Sequence, residues 1–453
     1  MHSPAKNEKL IQEEHLETGS DGMPQEIWDD MKKNENFIYY SLMFLNGSVL
    51  WAYQSCLSAQ DFYAVEFAGS GLDFSFLVTL CTSWPMVGGH GIQMLFGLDK
   101  RFGQEKRVYV GYSLFALMAI LIMIFSGISF SSPKTGAVLV LVCIGCIGFA
   151  NTLSEATFYL LAALFPVEKF TNAIQIGNGC AGIANVTVLT ILRLIVGGTK
   201  QEKSATTLAF YLFFSLLLIV LVTAVWLYRR LIALPCIKFL LERNEEATKE
   251  HGMGSLNPLV NLKEFARIFR VIWVPALTQW LIFFVSLAVF PGFGCAAGRN
   301  LGEPFTSNPD KYITPSKWYC SPGIIGSYNY GDFIGRIICT AGVYKLFGMK
   351  LSGFLSVVRI AYIPIMLMGV AGTSLYIFGD HVEGALVWNV MFNLTIGLTN
   401  GVLSTVTMGA APRMLPPQDR ETGGAIMVFF LFLGIASGAH FGFAVSANAW
   451  LGL

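Results

Sequence analysis

Eleven stretches of about 20 mainly apolar residues, each long enough to cross a bilayer as an α-helix, alternate with short polar segments along this chain. They lie near residues 36–59, 72–97, 107–129, 136–164, 173–197, 206–232, 271–292, 319–345, 352–378, 385–410 and 422–447. The pattern predicts an all-α polytopic membrane protein with eleven transmembrane helices, here numbered spans one to eleven. An odd number of crossings places the two termini on opposite sides of the membrane.

The polar segments also predict how the spans are grouped. One long connection separates the first six spans from the last five, and it carries a charged run from Glu242 to Glu250. We predict an N-terminal tail (1–35), a six-helix bundle (36–232), a linker (233–270) and a five-helix bundle (271–453). Such a 6 + 5 division resembles the two-lobe architecture of alternating-access transporters, in which a solute binds at mid-membrane between lobes that rock.

The distribution of Lys and Arg predicts the orientation. With the N-terminus inside, internal segments contain clusters such as Lys32-Lys33 and Lys100-Arg101, whereas external loops contain only scattered basic residues. Cytoplasmic segments carry the excess of positive charge in membrane proteins. We therefore predict a cytoplasmic N-terminus, a cytoplasmic linker and an extracellular C-terminus. The tail lacks the pattern of a cleaved signal peptide. We expect the protein to lie in the plasma membrane, although the sequence contains no targeting motif that specifies one membrane.

Composition narrows the class of protein further. Of the 453 residues, 54% are hydrophobic and only 13% are charged, against about 25% charged in a soluble domain. No basic cluster suggests nucleic acid, and no HExxH, GxSxG or Asp-rich motif suggests an enzyme. We expect no cofactor, no metal and no nucleic-acid partner, and a monomer surrounded by lipid. Charges deep within the spans favour solute translocation over a signalling receptor.

Two cysteines differ from the other seven. Cys295 and Cys320 lie in the polar loop between spans seven and eight, which the predicted topology puts outside. A disulfide persists in such an environment. The sequence leaves open whether they pair. Glycines in span five (Gly177, Gly179, Gly182) and span eleven (Gly434, Gly438, Gly442) predict close helix packing.

The best clue to function is an amide, an acid and a base on one face of span eight. Asn329, Asp332 and Arg336 fall within roughly a 60° arc of a helix that turns about 100° per residue. A charged side chain at the bilayer centre costs about 2.5–3.5 kcal/mol on insertion scales, so such residues face the interior and often mark a solute path. The alternative is a helix-packing ion pair that never meets a solute.

Several stretches resemble the equilibrative nucleoside transporter family. They are Asn329-x-x-Asp332-x-x-Gly335-Arg336, Glu421-Thr-Gly-Gly-Ala-Ile-Met-Val-Phe-Phe430, Thr79-Leu-Cys-Thr-Ser-Trp-Pro85, Gly177-Asn-Gly-Cys-Ala-Gly182 and Val289-Phe-Pro291. The resemblance implies a major-facilitator-like fold of eleven helices that moves nucleosides, and sometimes nucleobases, by alternating access. It also implies that Asp332 and Arg336 bind the ribose hydroxyls. The chemistry agrees, because a carboxylate accepts hydroxyl protons while a guanidinium donates. Asn329 is then placed to bind the sugar or the base edge.

Span four departs from the family. At the position where many family members have a glutamine that contacts the nucleobase, this chain has Glu155. Glu155 follows Asn151 by four residues and lies on the same face of the helix. We hypothesise that Glu155 sets nucleobase preference or couples transport to protons. The alternative is an inter-lobe ion pair with Arg193, Arg336 or Arg359.

Spans one and two supply the remaining candidate residues. The family commonly shows Pro-Trp-Asn where this chain reads Trp51-Ala-Tyr-Gln54, so Tyr53 and Gln54 keep a ring and an amide. With Trp51 they suit a flat base with polar edges. Ser83 and Met86 of span two occupy neighbouring family positions. For each of these residues, packing alone is the alternative.

The sequence thus predicts a nucleoside carrier and leaves proton coupling open. A nucleobase or organic-cation carrier of the same fold is the alternative, since Glu155 adds a second intramembrane acid. A preference for cationic solutes that vanishes in Glu155→Gln would favour that alternative.

Overall fold

A helix occurs at each of the eleven predicted spans. The computed structural model describes residues 23–98, 102–165, 169–199, 202–250, 257–298, 318–340, 348–370, 377–378, 381–416 and 419–447. The helices are α1 (Glu35–Ser58), α2 (Phe74–Leu95), α3 (Gln104–Gly127), α4 (Pro133–Ala163), α5 (Lys169–Gly197), α6 (Lys203–Ile232), α7 (Pro258–Val289), α8 (Gly326–Thr340), α9 (Met349–Val370), α10 (Val382–Arg413) and α11 (Arg420–Ser446). Shorter helices at Gln25–Lys33, Gln60–Glu66, Pro235–Glu250, Gly292–Ala296 and Tyr319–Ile325 flank or connect them.

Within the described residues, eight helices are long and apolar enough to cross a membrane. The chain is therefore a multi-pass membrane protein, and the count of eleven crossings remains a prediction. The other three, α1, α2 and α8, carry buried polar side chains such as Asn46, Ser83 and Asp332. Such residues lower the mean hydropathy of α1 and α2, whereas α8 is short, with 15 residues, because the turn Tyr319–Ile325 precedes it.

The helices pack as two groups, which we call the first lobe (α1–α6) and the second lobe (α7–α11). In the first lobe α1 lies along α5, and α4 lies along both α2 and α3; in the second lobe α7 lies along α11, and α8 along α10. The lobes meet mainly where α2 faces α11 and where α5 faces α8. This arrangement surrounds a central space between the two groups.

Glycines allow the closest crossings, as their spacing predicts. A Cβ added to Gly434 would lie 2.5 Å from the carbonyl oxygen of Trp280, and one added to Gly438 would lie 2.4 Å from that of Phe284. On α5, a Cβ at Gly177 would lie 2.3 Å from the carbonyl oxygen of Met43 on α1. The helix backbones are therefore too close to accept a larger side chain at these positions.

The predicted linker contains more helix than its polar sequence indicates. Pro235–Glu250 is helical, and α7 begins at Pro258, earlier than the predicted residue 271. The Asn257 side chain accepts a hydrogen bond from the Leu259 amide at 3.1 Å, and Pro258 occupies the first turn. These are helix-starting signals that a search for apolar runs does not detect. Of the predicted tail, residues 1–22 lie outside the described residues.

Cys295 and Cys320 form a disulfide at one end of the bundle. It ties the helix Gly292–Ala296, which follows α7, to the π-helical turn Tyr319–Ile325, which leads into α8. We call this the disulfide end, and the opposite end, where α1 begins, the N-terminal end. The pairing that the sequence left open is thus present.

At the disulfide end the second lobe is joined to the first through buried and half-buried polar groups. Arg193 of α5 forms an ion pair with Asp61 (Nη1–Oδ2 3.1 Å) and lies over the Trp318 ring, 4.4 Å from its centroid. The Trp318 indole donates to the Thr199 carbonyl at 2.9 Å, and the Ser321 hydroxyl donates to the Ser58 carbonyl at 2.9 Å. We call this set the disulfide-end contact (Ser58, Asp61, Arg193, Thr199, Trp318 and Ser321).

Candidate functional site

A cavity of about 90 Å³ lies between the lobes near mid-length of the helices. The first lobe contributes Leu50, Tyr53, Gln54, Leu57, Met86, Asn151, Glu155 and Asn178, and the second contributes Phe283, Leu287, Phe290, Tyr328, Asn329, Asp332, Arg336, Asn400, Leu431, Phe432 and Ile435. Acidic, basic and amide side chains share this wall with aromatic rings. We call it the central cavity.

Asp332 and Arg336 form a bidentate pair on the cavity wall. The guanidinium donates from Nε to Oδ2 of Asp332 at 2.7 Å and from Nη2 to Oδ1 at 3.3 Å. Both residues are less than a tenth exposed. Their spacing of four residues on α8 brings the two side chains together, as the sequence predicts.

Neighbouring helices hold this pair in place. Asn400 of α10 donates to Oδ1 of Asp332 at 2.8 Å and accepts from the Ser286 hydroxyl of α7 at 2.9 Å. Ser286 in turn accepts from Arg359 of α9 at 2.7 Å. Four helices of the second lobe therefore orient one carboxylate through a continuous chain of hydrogen bonds.

On the first-lobe side, Arg336 donates from Nη1 to the side-chain oxygen of Gln175. The Gln175 amide then donates to the Tyr159 hydroxyl at 3.0 Å, and Asn178 donates to the same hydroxyl at 2.9 Å. Arg336 thus links the second lobe directly to α5 and, through Gln175, to α4. We call this set the Arg336 layer (Arg336, Gln175 and Tyr159).

The acid–base pair retains bonding capacity for a solute. Arg336 makes three hydrogen bonds through its side-chain nitrogens, whereas a guanidinium has five N–H groups, so two remain. The Asp332 carboxylate accepts three of the about four that a carboxylate offers. A vicinal diol can therefore donate to the carboxylate and accept from the guanidinium without breaking the pair.

Glu155 lies on the first-lobe wall of the same cavity. Asn151 donates to its Oε2 at 2.6 Å, one helical turn away on α4. No ion pair joins Glu155 to any of the described basic residues: Arg193 pairs with Asp61, Arg336 pairs with Asp332, and Arg359 bonds hydroxyls and carbonyls. The inter-lobe salt bridge considered for Glu155 is therefore absent among the described residues.

An apolar wall faces these polar groups. Phe290 and Tyr328 stack with ring centroids 3.9 Å apart and planes 11° apart. Tyr53, Met86 and Phe432 complete the surface. Such a wall suits the face of a flat ring, and Gln54 beside it provides an amide for a polar edge.

Eight of the ten residues predicted from sequence line the central cavity: Tyr53, Gln54, Met86, Asn151, Glu155, Asn329, Asp332 and Arg336. The remaining two do not. Trp51 is not among the lining residues and packs, partly buried, against the hydrophobic core. Ser83 donates to the Leu80 carbonyl of its own helix at 3.2 Å.

Sequence reasoning missed four polar residues that build or support the site: Tyr159, Gln175, Asn178 and Asn400. Gln175 and Asn178 stand three residues apart on one face of α5. Counting every amide within an apolar span would have found them. Their partners lie on other helices, so their roles were not visible in the sequence.

A larger cavity of about 510 Å³ lies elsewhere, between α2, α7 and α11. Glycines and aliphatic or aromatic side chains form most of its wall, with Asn261, Glu264 and Thr422 as exceptions. It lacks the acid–guanidinium arrangement of the central cavity. Among the described residues, no group of three or more His, Cys, Asp or Glu side chains is arranged to hold a metal ion.

A family model and individual relatives both match this chain to nucleoside transporters. The family model described as "Nucleoside transporter" matches residues 141–447, more than half of the chain. Equilibrative nucleoside transporter 4 of Danio rerio is 22% identical over 459 residues, covering 90% of this chain and 83% of its own. Equilibrative nucleoside transporter 1 of Homo sapiens is 23% identical over 404 residues, covering 83% and 82%.

Among solved structures, a proton:xylose symporter of the major facilitator superfamily aligns with a TM-score of 0.57 at 14% identity. The alignment covers 92% of this chain and 90% of that one. At this identity the likeness concerns the fold alone. The predicted major-facilitator-like architecture is therefore confirmed.

Proposed function

The chain belongs to the nucleoside transporter family, and from that premise we propose that it carries nucleosides across the membrane by alternating access, with Asp332 and Arg336 binding the ribose. The observation that carries the proposal is the acid–guanidinium pair on the wall of an inter-lobe cavity. Its unused donors and acceptor match the two adjacent hydroxyls of a ribose. Asn400 and Gln175 hold the two charged groups in that geometry.

The nucleobase lies against the apolar wall in this proposal. Tyr53, Met86 and Phe432 cover its faces, while Gln54, Asn151 and Glu155 are within the same cavity to bond its edges. Burial of aromatic faces supplies affinity, and the amide and carboxyl groups supply selectivity.

Solute entry requires the lobes to move. The central cavity measures about 90 Å³, below the roughly 300–1,000 Å³ of clefts that enclose small molecules. Inter-lobe contacts lie on both sides of it, at the disulfide-end contact and at the Arg336 layer. Opening one set at a time would admit solute from one side at a time.

Reconstituted protein provides the test. Uptake of radiolabelled adenosine is competed with inosine, uridine, adenine and a cationic solute at two external pH values. Asp332→Asn, which keeps the shape of the side chain, should reduce adenosine uptake at least tenfold and abolish the advantage of adenosine over adenine. Asp29→Asn, an exposed change on Gln25–Lys33, serves as the control. Normal adenosine uptake by correctly inserted Asp332→Asn would contradict the ribose assignment.

A second candidate function is a nucleobase or organic-cation carrier of the same fold. It is favoured by Glu155, a cavity carboxylate without an ion-pair partner among the described residues. If Glu155 sets the preference for a nucleobase or couples transport to protons, Glu155→Gln should change the ranking of substrates or the pH dependence of uptake. Unchanged profiles in both respects would refute either role.

We also propose that the N-terminal end faces the cytoplasm, that the membrane is the plasma membrane, and that the carrier works as a monomer. Basic residues at the N-terminal end, including Arg107, Arg229, Arg230 and Arg267, support this orientation. Surface labelling of intact cells expressing protein with a tag in the loop between α7 and α8 tests both orientation and membrane. Labelling only after permeabilisation would contradict them.

A further inference from the structure

Two residues of the first lobe lie one helical turn beyond the central cavity, toward the N-terminal end. Along α4 the cavity is lined by Asn151 and Glu155, and Tyr159 follows four residues later. Along α5 it is lined by Asn178, and Gln175 precedes it by three. Because α4 runs toward the N-terminal end and α5 runs away from it, Tyr159 and Gln175 lie at the same level.

Arg336 is the corresponding residue of the second lobe. Along α8, Tyr328, Asn329, Asp332 and Arg336 line the cavity, and Arg336 is the member nearest the N-terminal end. Its Nη1 donates across the lobe boundary to Gln175, whose own amide donates to Tyr159 at 3.0 Å. The three side chains therefore close the cavity at this level by hydrogen bonds.

The close approach of α5 and α8 brings this layer together. A Cβ on Gly179 would lie 3.1 Å from Cδ of Arg336 and equally close to the backbone of Phe333. Gln175 stands one turn away from Gly179 on the same face of α5. Its amide is held at both ends, by Arg336 at the oxygen and by Tyr159 at the nitrogen, so its orientation is determined.

We propose that Gln175 is the gating residue at the N-terminal end of the central cavity, acting by holding Arg336 across the lobe boundary. The proposal rests on the proposed function in that the lobes rock to move a solute. When this end opens, the Arg336–Gln175 bond must break, since its two partners belong to different lobes. A guanidinium bonded to a neutral amide is weaker than a buried ion pair, which permits repeated breaking. Replacing Gln175 then changes how often this end is open.

Cys339 provides a native probe of that opening. It lies three residues beyond Arg336 and seven beyond Asp332, on the same face of α8, and is 1% exposed. With the six other free cysteines replaced, reaction of Cys339 with N-ethylmaleimide reports exposure at this level. The protein is full length and reconstituted, no substrate is added, and Cys339→Ala gives the background.

Gln175→Met, which removes the acceptor, should accelerate the reaction at least threefold. Gln175→Glu, which turns the bond into an ion pair, should slow it at least threefold. Gln93 is the matched control because its oxygen also accepts from an arginine, Arg107 Nη2 at 3.2 Å, but within the first lobe. Gln93→Met and Gln93→Glu should leave Cys339 reactivity unchanged.

The proposal is overturned if Gln175→Met and Gln175→Glu react at the wild-type rate, or if the Gln93 variants shift reactivity as much. Should Gln175→Met fail to insert, the slowed reaction of Gln175→Glu still decides. Because no substrate enters this measurement, its outcome is separate from the uptake test. If the Gln175 variants change Cys339 reactivity while Asp332→Asn takes up adenosine normally, the gating role of Gln175 is supported and the ribose assignment of Asp332 is refuted.

Discussion

Two of the contacts that join the lobes, one on either side of the central cavity, use different chemistry. The disulfide-end contact crosses between the lobes through a cation lying over an indole ring and two hydrogen bonds to backbone carbonyls, while the ion pair of Arg193 with Asp61 lies within the first lobe. The Arg336 layer joins the lobes through one guanidinium–amide bond between helices. The contact away from the solute-binding pair thus crosses the boundary through a ring face and backbone carbonyls, whereas the layer beside that pair crosses it through one side-chain amide.

The difference follows from what each group has to bind. Arg336 already has Asp332 as its counter-charge within the second lobe. A second carboxylate from the first lobe would compete for its donors, whereas the Gln175 amide occupies one donor and leaves two for a solute. Arg193 has no such duty and can be enclosed by Asp61 and Trp318. In both places the arginine is neutralised by a carboxylate of its own lobe, and its partner across the boundary is neutral.

The largest effect is expected from breaking the buried pair itself. Arg336→Ala leaves the Asp332 carboxylate with Asn400 as its remaining side-chain donor, and removing one partner of a buried pair costs about 3–5 kcal/mol. Uptake of adenosine should be lost, and the melting temperature of the purified protein should fall. The double variant Arg336→Ala/Asp332→Ala should recover part of the stability but none of the uptake. A single variant as stable as the wild type would show that the charge is not buried as described.

An intermediate effect is expected from cutting the disulfide. The bridge spans 25 residues of sequence, and removal of such a cross-link typically costs about 2–4 kcal/mol. Cys295→Ala/Cys320→Ala should therefore melt at lower temperature, while its affinity for adenosine, measured by equilibrium binding, changes less than twofold. Reductant should lower the melting temperature of the wild type and leave that of the double variant unchanged. A large loss of affinity would mean that the disulfide end and the cavity are not separate.

The smallest effect is expected at Asp61. Burial raises the pKa of this carboxyl, and Arg193 offsets only part of the rise. The native state therefore holds the proton more tightly than the unfolded chain. This contribution to stability is complete below the unfolded pKa of about 3.9 and is lost as pH rises through the raised native pKa.

Asp61→Asn cannot ionise, so the variant does not lose stability as the pH rises, and its amide oxygen still accepts a hydrogen bond from Arg193. The free energy of unfolding of this variant at pH 7 should be at least that of the wild type and should exceed it by less than about 1 kcal/mol. The difference should shrink toward pH 5. Melting curves of both proteins at the two pH values provide the measurement. A variant clearly less stable at pH 7 would show that the ion pair gains more than burial costs.

Much of the fold was predictable because a bilayer demands long apolar helices. Runs of apolar residues located a helix at each of the eleven spans, and glycine spacing located close crossings such as Gly434 and Gly438. The helical start of α7 was missed because charged residues such as Lys263, Glu264 and Arg267 interrupt its first turns. Where charged residues are mixed with apolar ones, apolar runs no longer mark the beginning of a helix.

The candidate site was predictable where its partners lie on one helix. Asp332 with Arg336, and Asn151 with Glu155, are four residues apart and meet as their spacing predicts. Tyr159 and Gln175 were missed because each derives its role from a contact with another helix.

By itself the sequence determined that the chain is a helical membrane protein and that one face of α8 carries an acid and a base, since both depend on residues close together along the chain. Only the tertiary structure decided that Arg336 bonds Gln175 across the lobe boundary, that Asn400 orients Asp332, and that Trp51 and Ser83 lie off the cavity wall. Local spacing specifies which side chains share a helix face. The packing of whole helices, sensitive to the size of single residues such as Gly179, specifies what that face meets.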